Sequence, residues 1–214
     1  MKLSGAIFDL DGTLLDSMPF WETVGSRYLI ERGISVPEDL PLRLKTMTLR
    51  EAAVFYRQDF GVTESEETIC RQVSEMIEED YRSRAPLKAG VRDVLEQLRQ
   101  RGIPMCIATA TDRRLVELAL HRLGIFHFFS FVVTCGELNT SKNQPDIFAV
   151  CARRLGTQRA ETVVFEDSLH CIRTASRAGF PVVGIYDSSA DSEREEIRPL
   201  CEQYLVNWED FCFV

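Results

Sequence analysis

The stretch FDLDGTLLDS, residues 8–17, is the most informative part of this chain for both fold and chemistry. The apolar residues 6–8 lead into it and are typical of a buried strand. Asp9 and Asp11 then stand where that strand should end, and Gly12 lets the backbone turn sharply. Because residues i and i+2 of a strand point to the same side, both carboxylates can face one site. Two close carboxylates are unfavourable unless a cation lies between them or they share a proton, so we expect a functional role.

Strand-like and helix-like patterns alternate along the rest of the chain. Each of the first three further apolar runs leads into polar residues and then into a helical pattern, and a fourth run follows. This alternation predicts an α/β fold, a Rossmann-like parallel sheet with helices on both faces. Ligands of such sheets bind at the carboxyl ends of the strands, where the polar clusters fall. The apolar runs are residues 103–108, 131–133, 162–165 and 181–185.

A block between the first strand and the remaining sheet lacks strand patterns. Ser17 and Pro19 are typical of a helix start and Gly33 of a helix end. Further helices are predicted at residues 49–60 and 65–82. The acidic residues of the last helix are interpreted as a solvated face, and they are Glu66, Glu67, Glu75, Glu78, Glu79 and Asp80.

An inserted helical cap domain explains this block. The predicted domains are therefore a core of residues 1–16 and 84–214 and a cap of residues 17–83. We expect the cap to select the substrate. Candidate cap residues near its predicted connections and loop are Phe20, Trp21, Arg43, Lys45 and Thr48.

The composition argues against several kinds of partner. The formal net charge of −8 argues against nucleic acid, because phosphate-backbone binding needs clustered cations. No run of 18 apolar residues exists, so no membrane partner is expected. Residues 1–5 lack the features of a signal peptide. The seven cysteines are dispersed and form no Cys-x-x-Cys pair, so we expect a reducing cytoplasm and neither a zinc site nor a disulfide framework.

Four short motifs, in order along the chain, resemble those of the haloacid dehalogenase-like hydrolase superfamily. They are DLDGT at residues 9–13, Thr109, Lys142 and EDS at residues 166–168. The family's usual Lys-Pro-x-Pro-Asp run has Asn143 in place of its first proline here. Proline would fix the backbone angle φ, so this loop is expected to be looser. The resemblance implies Mg²⁺-dependent phosphoryl transfer through an aspartyl-phosphate.

The resemblance also assigns roles to residues of this chain. Asp9 would attack phosphorus, and Asp11 would act as general acid and then as general base. Close negative neighbours are expected to raise the pKa of Asp11. Thr109, Ala110 and Lys142 would bind the transferring phosphate oxygens. The Mg²⁺ ligands would be side-chain oxygens of Asp9 and Asp167 and the backbone carbonyl of Asp11, with Glu166 as a further ligand or a neighbour of the ligands.

The sequence favours one function and leaves two alternatives open. The related β-phosphoglucomutase pattern has a histidine where this chain has Trp21, an arginine where it has Leu49, and Lys-Asn where it has residues 112–113. Each charge-assisted bond lost from a bisphosphate clamp removes about 1.5–3 kcal/mol. We therefore expect a phosphatase of a small phosphorylated metabolite, a sugar phosphate or nucleotide-like monoester, acting as a monomer or small homo-oligomer. A mutase is the alternative, and the intact motifs count against a third hypothesis, a non-catalytic binding protein.

Overall fold

The computed structural model describes residues 3–44, 47 and 49–213. Within them, six strands form one parallel sheet in the order β3-β2-β1-β4-β5-β6. The α/β fold and the parallel sheet predicted from the sequence are thereby confirmed. The strands are β1 Gly5–Phe8, β2 Met105–Thr109, β3 Phe131–Thr134, β4 Thr162–Glu166, β5 Val182–Ile185 and β6 Gln203–Leu205.

Ten α-helices occur in the described chain. Two of them, α3 and α4, start and end within one residue of the helices predicted at residues 49–60 and 65–82. The five-residue helix α2 was not predicted. The helices are α1 Met18–Ile30, α2 Leu40–Leu44, α3 Leu49–Asp59, α4 Glu66–Ser83, α5 Val91–Gln100, α6 Arg113–Arg122, α7 Cys135–Leu138, α8 Asp146–Leu155, α9 Leu169–Arg177 and α10 Arg194–Ile197.

An aromatic stack anchors the centre of the sheet. All four residues of β1 are buried, as expected for a strand covered on both faces. Phe8 stacks on Phe165 of the neighbouring β4 with ring centroids 4.5 Å apart, and Phe165 stacks on Trp208 at 5.5 Å. The indole Nε1 of Trp208 donates a hydrogen bond to the Thr13 carbonyl, 3.2 Å away. The C-terminal segment therefore supports the turn that follows β1.

The chain divides into two compact units. One comprises Met1–Asp16 and Pro86–Val214, and the other comprises Ser17–Ala85. The helical unit ends at Ala85, whereas the sequence placed the cap boundary at residue 83. Its action as a cap stays a prediction. Among the described residues, no helix has the length and apolarity needed to cross a membrane.

The interpretation of Asp80 as part of a solvated acidic face is wrong. Asp80 is fully buried within the helical unit, where its carboxylate binds Arg27 at 2.7 Å and also Arg84. The helical repeat places Asp80 beside the apolar stripe that includes Val73 and Ile77. The side chain therefore enters the helical core, and the two arginines compensate its charge.

Candidate active site

Asp9 lies directly beyond the carboxyl end of the central strand. Its backbone N–H donates to the Phe165 carbonyl at 3.0 Å, which extends the pairing of β1 with β4 by one residue. The Asp9 side chain is 12% exposed, so its carboxylate is accessible at the edge of a buried sheet. The sequence-based position of this residue at a strand end therefore matches the structure.

The turn after Asp9 requires glycine at position 12. Gly12 has φ +76°, and its N–H donates to the Leu15 carbonyl at 2.9 Å while the Leu15 N–H donates to Leu10 at 2.9 Å. A Cβ atom at position 12 would collide with the carboxylate of Asp167. The glycine thus meets two requirements, a left-handed backbone and the close approach of an acidic side chain.

Three carboxylates converge at this strand end. Oxygens of Asp9, Glu166 and Asp167 all lie within 4.8 Å of one another, and the last two side chains are buried. Burial, and then repulsion by Asp9, raises the pKa of Glu166 to about 7. Burial and the neighbouring carboxylates hold the pKa of Asp167 well above its usual value. A divalent cation bound by these oxygens would relieve that cost, and an all-oxygen donor set suits Mg²⁺.

Lys142 supplies a cation within the cluster. Its buried ammonium group binds the Asp9 carboxylate and lies 3.3 Å from Glu166 Oε1. Burial lowers the pKa of this amine, but Asp9 and Glu166 more than offset that effect and hold it well above its ordinary value. Lys142 is therefore protonated, and it orients the Asp9 carboxylate. The substitution of proline by Asn143 leaves the lysine in place.

A threonine of the loop after β2 binds the side chain of Asp11. The hydroxyl of Thr111 donates to Asp11 Oδ2 at 2.6 Å, and the Thr111 N–H donates to the Thr109 hydroxyl at 3.0 Å. Thr109 is buried and shapes this loop, while Ala110 between them is exposed. The predicted phosphate-binding role of Thr109 and Ala110 stays a prediction. The same is true of the predicted pKa and metal contact of Asp11.

Asp167 is held by the turn after β1 and is not a helix cap. Its Oδ1 accepts a hydrogen bond of 2.8 Å from the buried hydroxyl of Thr13. The N-cap position of α9 belongs instead to Ser168. The capping role that an aspartate before a helix would ordinarily have therefore does not apply, and Asp167 is free to face the cluster.

Sequence reasoning missed the partners that hold these carboxylates. Besides Thr13 and Thr111, the thiol of Cys171 hydrogen-bonds the Glu166 carboxylate and lies 3.1 Å from Nε2 of His170. His170 Nδ1 in turn lies 2.8 Å from the Ser168 hydroxyl. The sequence offered one signal for these partners, namely Thr111, which stands two residues after the motif residue Thr109. The roles of Cys171 and His170 depend on how α9 packs, which the spacing does not reveal.

The raised pKa of Glu166 predicts that Mg²⁺ stabilises the protein more at about pH 8 than at about pH 6. Folded Glu166 keeps its proton up to about pH 7, whereas an unfolded glutamate loses its proton at about pH 4.3. Without metal, the contribution of this group to stability therefore declines as pH rises through that window. Mg²⁺ must displace the proton below pH 7 but not above it.

Thermal unfolding with and without Mg²⁺ at both pH values checks this expectation. Glu166→Gln, which cannot titrate, should give a Mg²⁺-induced change in Tm that varies less with pH. Equal Mg²⁺-induced changes for the wild-type protein at both pH values would contradict it.

Comparison with known proteins agrees with this geometry. The sequence profile of the haloacid dehalogenase-like hydrolases matches residues 6–185. The chain belongs to that family, which confirms the resemblance drawn from its four motifs.

Two curated relatives are similar over most of their length. The "Phosphorylated carbohydrates phosphatase" of Thermotoga maritima is 27% identical over 192 residues, covering 89% of this chain and 89% of the relative. The "Probable pseudouridine-5'-phosphatase" of Drosophila melanogaster is 30% identical over 201 residues, covering 90% and 86%. Both are named as phosphatases of small phosphorylated compounds.

One solved structure resembles the whole chain. It is a Thermotoga maritima protein whose assignment as a β-phosphoglucomutase is provisional. It superposes with a TM-score of 0.84 at 26% sequence identity, covering 98% of this chain and 96% of the other. The name of this relative keeps the mutase alternative open.

Proposed function

We propose that this protein is a Mg²⁺-dependent phosphatase that hydrolyses a small phosphorylated metabolite through an aspartyl-phosphate on Asp9. The observation that carries the proposal is the convergence of the Asp9, Glu166 and Asp167 carboxylates, with the buried ammonium group of Lys142 paired to Asp9 and Glu166. A carboxylate cluster of this kind is costly to the fold unless it binds a cation. The named relatives support the reaction class.

Asp9 acts as the nucleophile in this proposal. One of its carboxylate oxygens attacks phosphorus, the bond from phosphorus to the ester oxygen breaks, and the phosphoryl group remains on Asp9. Lys142 orients the Asp9 carboxylate through the ion pair, and its positive charge stabilises phosphoryl oxygens. The N–H of Asp9, bonded to Phe165, fixes the backbone from which the attack is made.

Asp11 transfers the protons. When protonated, it gives its proton to the departing ester oxygen. As a carboxylate, it then accepts a proton from the water that attacks the aspartyl-phosphate. The hydroxyl of Thr111 donates to Asp11 Oδ2 at 2.6 Å and so orients this carboxylate. Asp11 therefore serves as the acid and the base while Asp9 serves as the nucleophile.

The cluster fits Mg²⁺ as the cofactor. Asp9, Asp167 and the Asp11 backbone carbonyl would hold it, with Glu166 as a ligand or as a neighbour of the ligands. Bound Mg²⁺ would offset the repulsion between the carboxylates and the phosphate dianion and would polarise the phosphoryl group. Thr13 fixes the Asp167 carboxylate for this purpose through its 2.8 Å hydrogen bond.

The substrate is proposed to be the monophosphate ester of a sugar or of a nucleoside-like compound. The names of the two curated relatives, for phosphorylated carbohydrates and for pseudouridine 5'-phosphate, support that class. The net charge of −8 supports a small substrate over nucleic acid. We place the protein in a reducing cytoplasm because all seven cysteines are free. We further propose that it acts as a monomer or small homo-oligomer.

The helical unit is proposed to be the cap that selects this substrate. Three candidate cap residues have partners within that unit. Trp21 donates to the Tyr81 hydroxyl at 3.0 Å, Phe20 lies 5.6 Å from the Arg84 guanidinium, and Arg43 lies over Phe55. The candidates Lys45 and Thr48 lie outside the described residues.

Mutase activity remains the second candidate because of the structural relative. The cations nearest the mutase positions have acidic partners in this chain. Arg113 binds Glu137 and Glu117, and Arg50 lies 3.8 Å from Glu66. Asp112 serves as the N-cap of α6. These contacts favour phosphatase activity, since a mutase would need a cationic clamp for the second phosphate of a bisphosphate.

Two assays test the proposal. Release of inorganic phosphate should require Mg²⁺ across sugar and nucleoside monophosphates, with para-nitrophenyl phosphate as a general substrate. Interconversion of β-glucose 1-phosphate and glucose 6-phosphate, primed by the bisphosphate, should be absent. A folded, Mg²⁺-binding protein that interconverts the two without releasing phosphate would support the mutase instead.

A further inference from the structure

A buried ion pair outside the carboxylate cluster joins three segments of the core. Lys88 Nζ lies 2.8 Å from Asp187 Oδ2 and donates to the Tyr186 carbonyl at 2.7 Å. The side chains of Lys88 and Asp187 are 15% and 3% exposed. The other oxygen of Asp187 accepts from both the N–H and the hydroxyl of Ser189, at 2.9 and 2.7 Å. The ammonium group of Lys88 and the carboxylate of Asp187 are therefore each oriented by hydrogen bonds besides the ion pair.

The backbone of Lys88 connects this pair to the turn after β1. The Lys88 N–H donates to the Leu14 carbonyl at 2.9 Å, and Leu87 forms an antiparallel bridge with Leu15. Lys88 thus contacts the turn after β1 through its backbone N–H and the segment after β5 through its side chain. That turn carries Asp11 and Thr13, the latter being the hydrogen-bond donor to Asp167.

We propose that Lys88, paired with Asp187, is a positioning residue that fixes the turn at residues 11–15 so that Asp11 and the Asp167 carboxylate keep their orientation toward Mg²⁺ and substrate. The inference rests on the proposed function. Neither residue touches the carboxylate cluster in the contacts described above, and an ammonium group paired with the buried Asp187 carries a desolvation cost that a merely apolar side chain would avoid.

Positioning and charge predict opposite effects of removing Lys88. Asp187 follows β5, the strand beside β4, and after burial and the nearer carboxylates it adds to the rise in the pKa of Asp167. If only charge mattered, Lys88→Met would leave Asp187 uncompensated, make the site more negative and tighten Mg²⁺ binding. If Lys88 positions the turn, the same change loosens the site and weakens Mg²⁺ binding.

The test measures Mg²⁺ affinity by isothermal titration calorimetry on the full chain, together with Tm and with kcat and KM for para-nitrophenyl phosphate. For Lys88→Met we expect the Mg²⁺ Kd to rise about tenfold, as for other residues that orient metal ligands, and kcat to fall more than KM changes. Lys88→Arg, which keeps the charge and donors, should restore most of both.

Arg27→Met is the matched control, because it removes a cation from the buried Asp80 in the helical unit. It should lower Tm while leaving the Mg²⁺ Kd unchanged. A Mg²⁺ Kd for Lys88→Met that is unchanged or lower overturns the proposal. If Lys88→Met does not fold, Lys88→Gln decides in the same way, because it also leaves the charge of Asp187 uncompensated; a smaller rise in Kd is expected because the glutamine amide can still donate to the Tyr186 carbonyl.

Calorimetry separates the two proposals. A wild-type protein that binds Mg²⁺ without turning over substrate contradicts the proposed function, yet its Kd still decides the role of Lys88. A wild-type protein that binds no Mg²⁺ overturns both.

Discussion

Asp9→Asn is expected to lower kcat for Mg²⁺-dependent hydrolysis of para-nitrophenyl phosphate by about 10³-fold or more, the scale of losing a nucleophile. The amide lacks the negative oxygen that attacks phosphorus, so no aspartyl-phosphate can form. Steady-state kinetics and acid-quench mass spectrometry of the phosphorylated protein measure both effects. The result would separate covalent catalysis on Asp9 from simple metal-assisted attack by water.

The same substitution should not destabilise the metal-free protein. It removes one of three carboxylates whose oxygens lie within 4.8 Å, and with it one cause of the raised pKa of Glu166. The substitution also removes a carboxylate partner of the buried Lys142 ammonium group, which keeps its contact with Glu166. Because these two effects oppose each other, we expect Tm without Mg²⁺ to change little. More than a tenth of wild-type activity in a folded Asp9→Asn protein would rule out Asp9 as the nucleophile.

Asp11→Asn is expected to affect the two halves of the reaction differently. For a sugar phosphate, whose leaving oxygen needs a proton, kcat should fall by about 10²- to 10⁴-fold. Para-nitrophenolate departs without a proton, so phosphorylation of Asp9 should continue. The following hydrolysis still needs a base, so the aspartyl-phosphate should accumulate. Rapid mixing should show a burst of one equivalent of para-nitrophenol followed by slow turnover.

Thr111→Val is the matched control for that experiment. It removes the hydroxyl that binds Asp11 Oδ2 but leaves the carboxylate, so we expect a reduction well below that of Asp11→Asn and no burst. Equal losses on both substrates for Asp11→Asn, with no burst, would show that Asp11 does not transfer protons in this reaction.

The parts of the fold that repeat over many residues were predictable from the sequence. Continuous apolar runs mark β1 to β5, because strands buried on both faces need apolar residues throughout. The short strand β6 escaped prediction, since only Leu205 of its three residues is fully buried. Asp80 was misplaced for a related reason. An aspartate is usually exposed to solvent, whereas the position of Asp80 on α4 and its two arginine partners place it in the core of the helical unit.

The site residues likewise differ in whether the local sequence or only the tertiary structure reveals them. Asp9 and Glu166–Asp167 follow strands directly, so parallel pairing alone brings their carboxylates together. Lys142 was predictable only from its place in a family motif, because it lies in a loop. The contacts that orient these groups join segments far apart in sequence, as Thr13 does with Asp167. Spacing along the chain carries no information about such pairs.

The central place of β1 has a consequence for biosynthesis. β1 is made first, but its partners β2 and β4 begin only at Met105 and Thr162. At about 5–20 residues per second, β4 leaves the ribosome on the order of ten seconds later. Both edges of the apolar β1 are unpaired until β2 emerges, and one edge stays unpaired until β4 emerges; such an edge is a recognised target for chaperones and for aggregation. Because Asp9 extends β1, a truncated chain that lacks β4 would carry the proposed nucleophile without the Glu166 and Asp167 carboxylates of the proposed metal site.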